Sequence, residues 1–355
     1  MLRHLGYNGP DLIALFPPLL LNTISTDFLL SCHPEGGNDL LAEYIQRNIV
    51  DNYCKGGKMA GNLATIVTSK AKRVTISRDQ PCIIIGERIN PTGRKVLQAA
   101  LKEENFDIVR RDAIAQVEAG ADILDINVGV PGGDEAILLI KAIKAVREVT
   151  DVPLCIDTAD PEAMEAALKV YDGKPMVNSV TGEDERLKEV LPLVKEYNAA
   201  VIGLCMDEEG IPPTAEGRFK VAAKIIERAG RLGILAEDVV IDPLVLTVGA
   251  NYLAGRIALD ATKMIVKEFG VNITMGVSNI SYGMPDRRAL NAALIAMAIH
   301  AGLTCPIVNP LHEEIVKAIL AADLLMGHDE YSARWIKAYR QRREAADRMT
   351  FRFRS

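Results

Sequence analysis

From residue 82 onward one pattern recurs eight times: a short run of branched apolar residues, then a longer run with apolar positions every three to four residues. The short runs are 82–86, 122–126, 153–157, 174–178, 200–205, 238–242, 273–277 and 304–308. Rich in Val, Ile and Leu, they suit strands buried on both faces. The longer runs carry helical spacing: Leu187, Val190, Leu191, Val194 and Tyr197 fall on one helix face. Phe219, Ala222, Ala223 and Ile226 do the same, as do Leu139, Ile143, Val146 and Val149. Asp160 before Pro161 predicts an N-cap with proline in the first helical turn, and Pro192 falls inside its helix.

Strand then helix, eight times over about 245 residues, is the size and order of a (β/α)₈ TIM barrel. An open doubly wound sheet would favour a G-x-G-x-x-G loop after its first strand, and the sequence has none. The expected class is therefore α/β: an N-terminal extension over residues 1–80, a barrel over 81–345 and a tail over 346–355. Within the extension, 38–52 suits a helix and Gly56, Gly57 and Gly61 mark a flexible stretch. A last helix over 329–346 is expected outside the barrel.

Apolar residues make up 49% of the chain, enough for a large core that needs no disulfide or metal staple. A net charge of −6 excludes nucleic-acid binding through bulk positive charge. The six cysteines form no C-x-x-C pair. Cys82, Cys155, Cys205 and Cys305 lie in apolar runs, which predicts buried free thiols in a reducing cytoplasm. Residues 12–30 are apolar and end on a segment like a lipoprotein cleavage site, but Pro17, Pro18, Asn22 and Asp27 interrupt them. No membrane association is expected.

Barrel chemistry sits at the C-terminal strand ends. There the sequence places Glu87 with Asn90, then Asn127, Asp157, Asn178 with Ser179, Asp207, Asp242, Ser278 with Asn279, and Asn309. Every strand thus ends in a carboxylate, an amide or a hydroxyl–amide pair. A single Asp or Asn there is an ordinary turn former, but eight together point to a site. The set lacks His, Lys and a Cys–base pair, so nucleophilic catalysis is not indicated, and no metal is expected. Carboxylates and amides suit a flat heterocycle rich in N–H donors. A pterin is one: a carboxylate accepts two parallel N–H bonds from its edge, and an asparagine serves the mixed donor–acceptor edge.

Over residues 82–345 the motifs GERIN (86–90), DINVG (125–129), CIDT (155–158), VNS (177–179), GLCMDEEGIP (203–212), IDPL (241–244) and GVSNIS (276–281) occur in this order. In them the chain resembles the pterin-binding methyltransferases. That family includes methyltetrahydrofolate:corrinoid/iron–sulfur protein methyltransferases and the folate domain of cobalamin-dependent methionine synthases. The resemblance implies that Asp157, Asn178 and Asp242 hold the pterin ring, with Asn127, Gly276 and Ser278 lining the pocket. Glu87, Asn90 and Asp207 join them as candidate pterin contacts. Asn279 matches an asparagine that turns to hydrogen-bond pterin N5, and Arg287 a basic residue near the aminobenzoyl-glutamate tail. Tyr282 stands where the iron–sulfur-protein branch has glutamine, so the corrinoid partner is left open.

The implied activity moves a methyl group between N5 of (methyl)tetrahydrofolate, or a related tetrahydropterin, and the cobalt of a corrinoid protein, in either direction. No D-x-H-x-x-G segment occurs, so the cobalamin is expected on a separate protein. The family also implies a homodimer. Two alternatives are a dihydropteroate synthase-like enzyme and a non-catalytic folate-binding module. The synthase needs a lysine and an S-R-K-type segment at the seventh strand and an N-V-T-P-D-S-F loop at the first; this chain has GVSNIS and GERINPTGR there.

Overall fold

A computed structural model describes residues 62–352. The apolar stretch 12–30, the helix expected over 38–52, Gly56, Gly57 and Gly61 lie outside the described residues. A two-stranded antiparallel hairpin, β1 (Thr65–Thr68) and β2 (Arg73–Ile76), comes first. Eight strands then form one parallel sheet: β3 (Ile85–Ile89), β4 (Ile123–Ile126), β5 (Leu154–Asp157), β6 (Met176–Thr181), β7 (Ala200–Leu204), β8 (Val239–Asp242), β9 (Thr274–Gly276) and β10 (Cys305–Val308). Each pairs with its sequence neighbour, and β10 pairs with β3. Between β8 and β9 the seam narrows to a single bridge, Ile241 to Ile273, which completes the barrel.

Ten α-helices are described. The barrel's own are α1 (Lys95–Lys102), α2 (Asp107–Glu118), α3 (Glu135–Arg147), α4 (Pro161–Val170), α5 (Asp184–Glu196), α6 (Ala215–Arg231), α7 (Ala254–Phe269), α8 (Arg287–Ala301) and α9 (Glu313–Leu325). The last, α10 (Ala333–Arg352), follows them and is tied to α9 by the Arg342–Glu313 ion pair. Asp160 caps α4 by accepting from the Glu162 amide, with Pro161 in its first turn. Leu187, Val190, Leu191 and Val194 are the buried face of α5, and Pro192 lies within it. No described helix is long and apolar enough to cross a membrane.

Strand periodicity sorts side chains into two cores. One lies between strands and helices. The other fills the barrel with Ile85, Ile123, Cys155, Met176, Ala200, Ile202, Val240 and Cys305. Stepping two residues along from these reaches Glu87, Asp125, Asp157, Asn178, Leu204 and Asp242. The barrel interior is therefore apolar below and mostly polar at its C-terminal mouth. The four cysteines expected to be buried and unpaired are both.

The hairpin closes the opposite end. Val67, Val74 and Ile76 belong to the interior core. The Asn272 amide, just before β9, donates to Thr65 Oγ1 and to the Ile76 carbonyl, both at 2.9 Å. The Tyr171 hydroxyl donates to the Thr68 carbonyl at 3.0 Å and accepts from the Leu154 amide. Gly173, at φ +138°, lets the backbones touch; a Cβ there would overlap the Thr68 carbonyl. Ile76→Ala is expected to lower unfolding free energy by about 2–5 kcal/mol through a cavity at this floor. Urea titration measures the loss. An undiminished midpoint would show that the hairpin is not part of the core.

Candidate active site

The mouth residues come from different strands and meet because each stands two positions above an apolar interior residue. Asp157 ends β5, Asn178 lies in β6 before a bulge, and Asp242 ends β8. Asn178 Nδ2 donates to Asp125 Oδ1 at 3.1 Å. Asp157 is hydrogen-bonded to both Asn127 and Asp125. Asp242, 5% exposed, accepts from the backbone amides of Leu244 (2.7 Å) and Gly276. Glu87 accepts from Ser278 Oγ at 3.1 Å, which joins β3 to the turn after β9.

That turn, Val277–Ser281, is a short 3₁₀ helix. Arg287 braces it: Nη2 donates to the Ser278 carbonyl at 2.8 Å and Nε to Ser281 Oγ at 3.1 Å. A Cβ on Gly276 would stand 3.2 Å from Asn279 Nδ2, so glycine leaves the Asn279 amide room. The Asn279 side chain makes no hydrogen bond within the described residues, although its backbone carbonyl accepts from Tyr282.

Three expected residues serve the backbone instead. Asn90 accepts from the Thr92 amide, Asp207 from the Glu209 amide and Asn309 from the Leu311 amide. Asp207 lines a separate cleft with Pro212, Lys220 and Lys224. No contact brings these three into the network around Asp157 and Asp242. Among the described residues no group of three or more His, Cys, Asp or Glu is placed to hold a metal ion.

Two residues escaped the sequence reading. Asp125, 3% exposed, hides inside the apolar run DILDI; its signal was parity, two after interior Ile123 and two before Asn127. Arg218 on α6 is 1% exposed and donates to the carbonyls of Pro212 and Pro243 (both 3.1 Å) and Leu244. It clamps the loops after β7 and β8 and is the cation that opposes the upward shift of Asp242.

Burial dominates the electrostatics. It raises Asp242 to about 6 against the two backbone amides and Arg218. It raises Asp157 to about 6 as well, against hydrogen bonds from Asn127 and Asp125, with Glu135 adding repulsion. Glu87 is also raised by burial, opposed by Ser278, Arg88 and Arg287. Desolvated acceptors with few donors of their own are matched by a ligand that brings N–H groups.

The sequence profile described as "Pterin binding enzyme" matches residues 86–309, well over half of the chain. The chain belongs to the pterin-binding enzyme family. A methylcorrinoid:tetrahydrofolate methyltransferase of Eubacterium limosum is 30% identical over 73% of this chain and 96% of that protein. The methionine synthase of Mycobacterium tuberculosis is 28% identical over 68% of this chain. The aligned part is only 22% of that synthase's length. These relatives place this pterin-binding enzyme among the family's methyltransferases. Among solved structures, a Xanthomonas albilineans dihydropteroate synthase with 4-aminobenzoic acid superposes with a TM-score of 0.56. It is 22% identical and covers 74% of this chain and 98% of that one. A Yersinia pestis dihydropteroate synthase gives 0.55 at 18% identity, covering 74% of this chain and 99% of that one. At such identities the two establish the shared barrel alone.

For a pterin-binding enzyme built this way, acid should weaken ligand binding. If Asp157 and Asp242 receive the N–H bonds of a ligand as carboxylates, burial that raises both to about 6 puts the loss of those bonds just below neutral pH. Affinity for methyltetrahydrofolate is expected to be flat from pH 7 to 8. Below 6 it should fall by about tenfold per unit for each carboxyl titrating. The ligand-free protein should respond oppositely. These folded-state values exceed the ordinary ~3.9 of aspartate, so the folded state binds extra protons between about pH 4 and 6. Stability from these groups is then present at low pH and lost as pH rises through 6. Calorimetry with and without ligand reads both; an affinity constant from pH 5 to 8 would refute the assignment.

Proposed function

We infer that this pterin-binding enzyme transfers a methyl group between N5 of tetrahydrofolate and a corrinoid carried by a separate protein. The observation that carries this reading is the pairing of an acceptor set at the mouth, buried Asp242 with half-buried Asp157 and Asn178, with an Asn279 amide left without a partner. The acceptors suit the amino and ring N–H groups of the pterin edge. Arg287, 6.0 Å from the Tyr282 ring, adds positive charge beside Glu87, where an anionic tail can leave the mouth.

The corrinoid supplies a metal centre that exchanges a methyl group with a nitrogen. The protein's part is charge. A methyl group on a tertiary amine departs poorly because electron density collects on nitrogen. The nitrogen takes a proton from solvent as the methyl group leaves, and an oriented N–H donor at that atom lowers the barrier without itself ionising; the Asn279 amide is free to take that role. Exposed Tyr252, Leu253 and Tyr282 give the mouth an apolar rim that fits a large flat macrocycle, and an open mouth suits a partner that docks transiently. A synthase reading finds no lysine in the turn after β9, which runs Val277, Ser278, Asn279, Ile280, Ser281.

The test is the anaerobic visible spectrum of cob(I)alamin mixed with methyltetrahydrofolate and catalytic protein. Conversion of the cob(I)alamin to its methylated form at many turnovers per protein is expected. Tight methyltetrahydrofolate binding with no turnover, whether on free cobalamin or on corrinoid proteins, would favour a non-catalytic folate-binding module.

A further inference from the structure

Asp125 lies deepest of the mouth's polar residues: it is in register with Cys155, two residues below Asp157, and is 3% exposed. It has two polar neighbours at the ring. The Asn178 amide donates to its Oδ1 at 3.1 Å, and its carboxyl hydrogen-bonds that of Asp157. The Cys155 thiol also reaches it from β5. Two carboxyls joined by a hydrogen bond must share a proton between them. No cation stands among the groups acting on this pair. Around Asp125 these are Asp157, Asn178 and Cys155; around Asp157, Asn127 and Glu135 from α3 as well. The deeper carboxyl, away from solvent, is the one that keeps the proton, and burial with repulsion from Asp157 pushes Asp125 well up.

The location of that proton fixes the polarity of the site above. An asparagine amide can present either its oxygen or its NH₂ to a ligand, and only its partners decide which. With NH₂ turned down to Asp125, Asn178 presents its carbonyl oxygen to the mouth. With a donated proton from below, Asp157 keeps its charge and its remaining lone pairs for the ligand.

We propose that Asp125 is a positioning residue: protonated, it donates to Asp157 and accepts from Asn178, and so sets both as acceptors for the donor edge of the pterin. The proposal rests on the pterin reading of the mouth. It adds that recognition depends on a hydrogen-bond pattern, not on a third charge.

The conservative variant separates these possibilities. Asp125→Asn reproduces the protonated acid, since its NH₂ donates to Asp157 and its oxygen accepts from Asn178. Asp125→Ala supplies neither bond. With methyltetrahydrofolate as probe at pH 7, titration calorimetry is expected to give Asp125→Asn within about threefold of the unaltered protein. Asp125→Ala should be weaker by about tenfold or more, because an amide and a carboxylate lose their partner. Difference infrared spectra of the ligand-free proteins should show a protonated-acid carbonyl band at neutral pH that is lost in Asp125→Asn.

An Asp125→Asn variant as weak as Asp125→Ala would overturn the proposal in favour of a required charge. So would an Asp125→Ala variant that binds normally, or the absence of the infrared band. If Asp125→Ala fails to fold, Asp125→Asn and its spectrum decide alone. Failure of the pterin reading is a different result: the unaltered protein would not bind methyltetrahydrofolate.

Discussion

Asp157→Ala is expected to weaken methyltetrahydrofolate binding by about 10²-fold or more while leaving the barrel folded. Truncating one side of a desolvated, charge-assisted hydrogen-bond pair costs about 2–5 kcal/mol, and each ~1.4 kcal/mol is a factor of ten. Asp157→Asn should bind nearly as badly, although it keeps the size of the side chain. One of its two outward positions becomes an NH₂, which meets an N–H of the ligand donor to donor. Asp157→Asn, which keeps an acceptor for Asn127 and Asp125, should not lower the melting temperature of the ligand-free protein, because burial already disfavours the charge that is removed. Asp157→Ala strands both partners and should lower it by a few degrees. Binding isotherms together with thermal unfolding check both halves. A variant that unfolds would relocate Asp157 from ligand recognition to structure. One that binds at full strength would remove it from the site.

Asn279→Ala should act on a different quantity. The side chain makes no bond in the ligand-free protein, so removing it leaves no buried partner stranded. The ground state loses little, and pterin affinity should change only a few-fold. On the proposed reaction the donor acts when density collects on N5, so kcat should fall roughly 10²-fold. Comparing Kd with single-turnover rates separates the two. Equal losses in both would mean that Asn279 binds the ground state and has no special role in the transition state. Gly276 offers a milder version: a methyl group 3.2 Å from Asn279 Nδ2 would crowd the amide without deleting it.

The barrel could be read from the sequence because its strands are buried on both faces, and eight dense apolar runs stand out against the helical spacing between them. The edges were harder to place. The first apolar run is 82–86, yet the strand is Ile85–Ile89. Cys82 is an anchor before the strand, its amide held by Asp323 at 3.0 Å, and the strand ends in Glu-Arg-Ile because Glu87 faces the mouth. The same reason extends the fourth run, read as 174–178, to Met176–Thr181. Polar residues at a mouth look like loop when only hydrophobicity is followed. The hairpin was missed because four-residue strands give too few alternations to rise above the background. Asp125 was missed for the opposite reason: it lies within an apolar run, and only its parity marks it as facing inward. Asn90, Asp207 and Asn309 have the same chemistry as Asp157 and Asp242 and nearly the same position. All three lie just beyond their strands and cap the next backbone amides from the loop, whereas Asp242, which caps Leu244 in the same way, is still the last residue of its strand and buried; a shift of one to three residues past the strand end is not visible in spacing.

The burial that raises Asp157 and Asp242 also has a meaning for the lifetime of the protein. An empty mouth holds dehydrated carboxylates with too few donors, so the ligand-free barrel is less stable than its own apolar core would allow. A bound pterin brings the missing donors, and at a ligand concentration 100 times Kd the folded state gains about 2.7 kcal/mol by mass action. A shift of that size changes the fraction exposed to unfolding, and hence to proteolysis, about a hundredfold. Abundance would then follow supply: molecules idle for want of folate would be cleared sooner than those at work, with no regulator beyond the site itself.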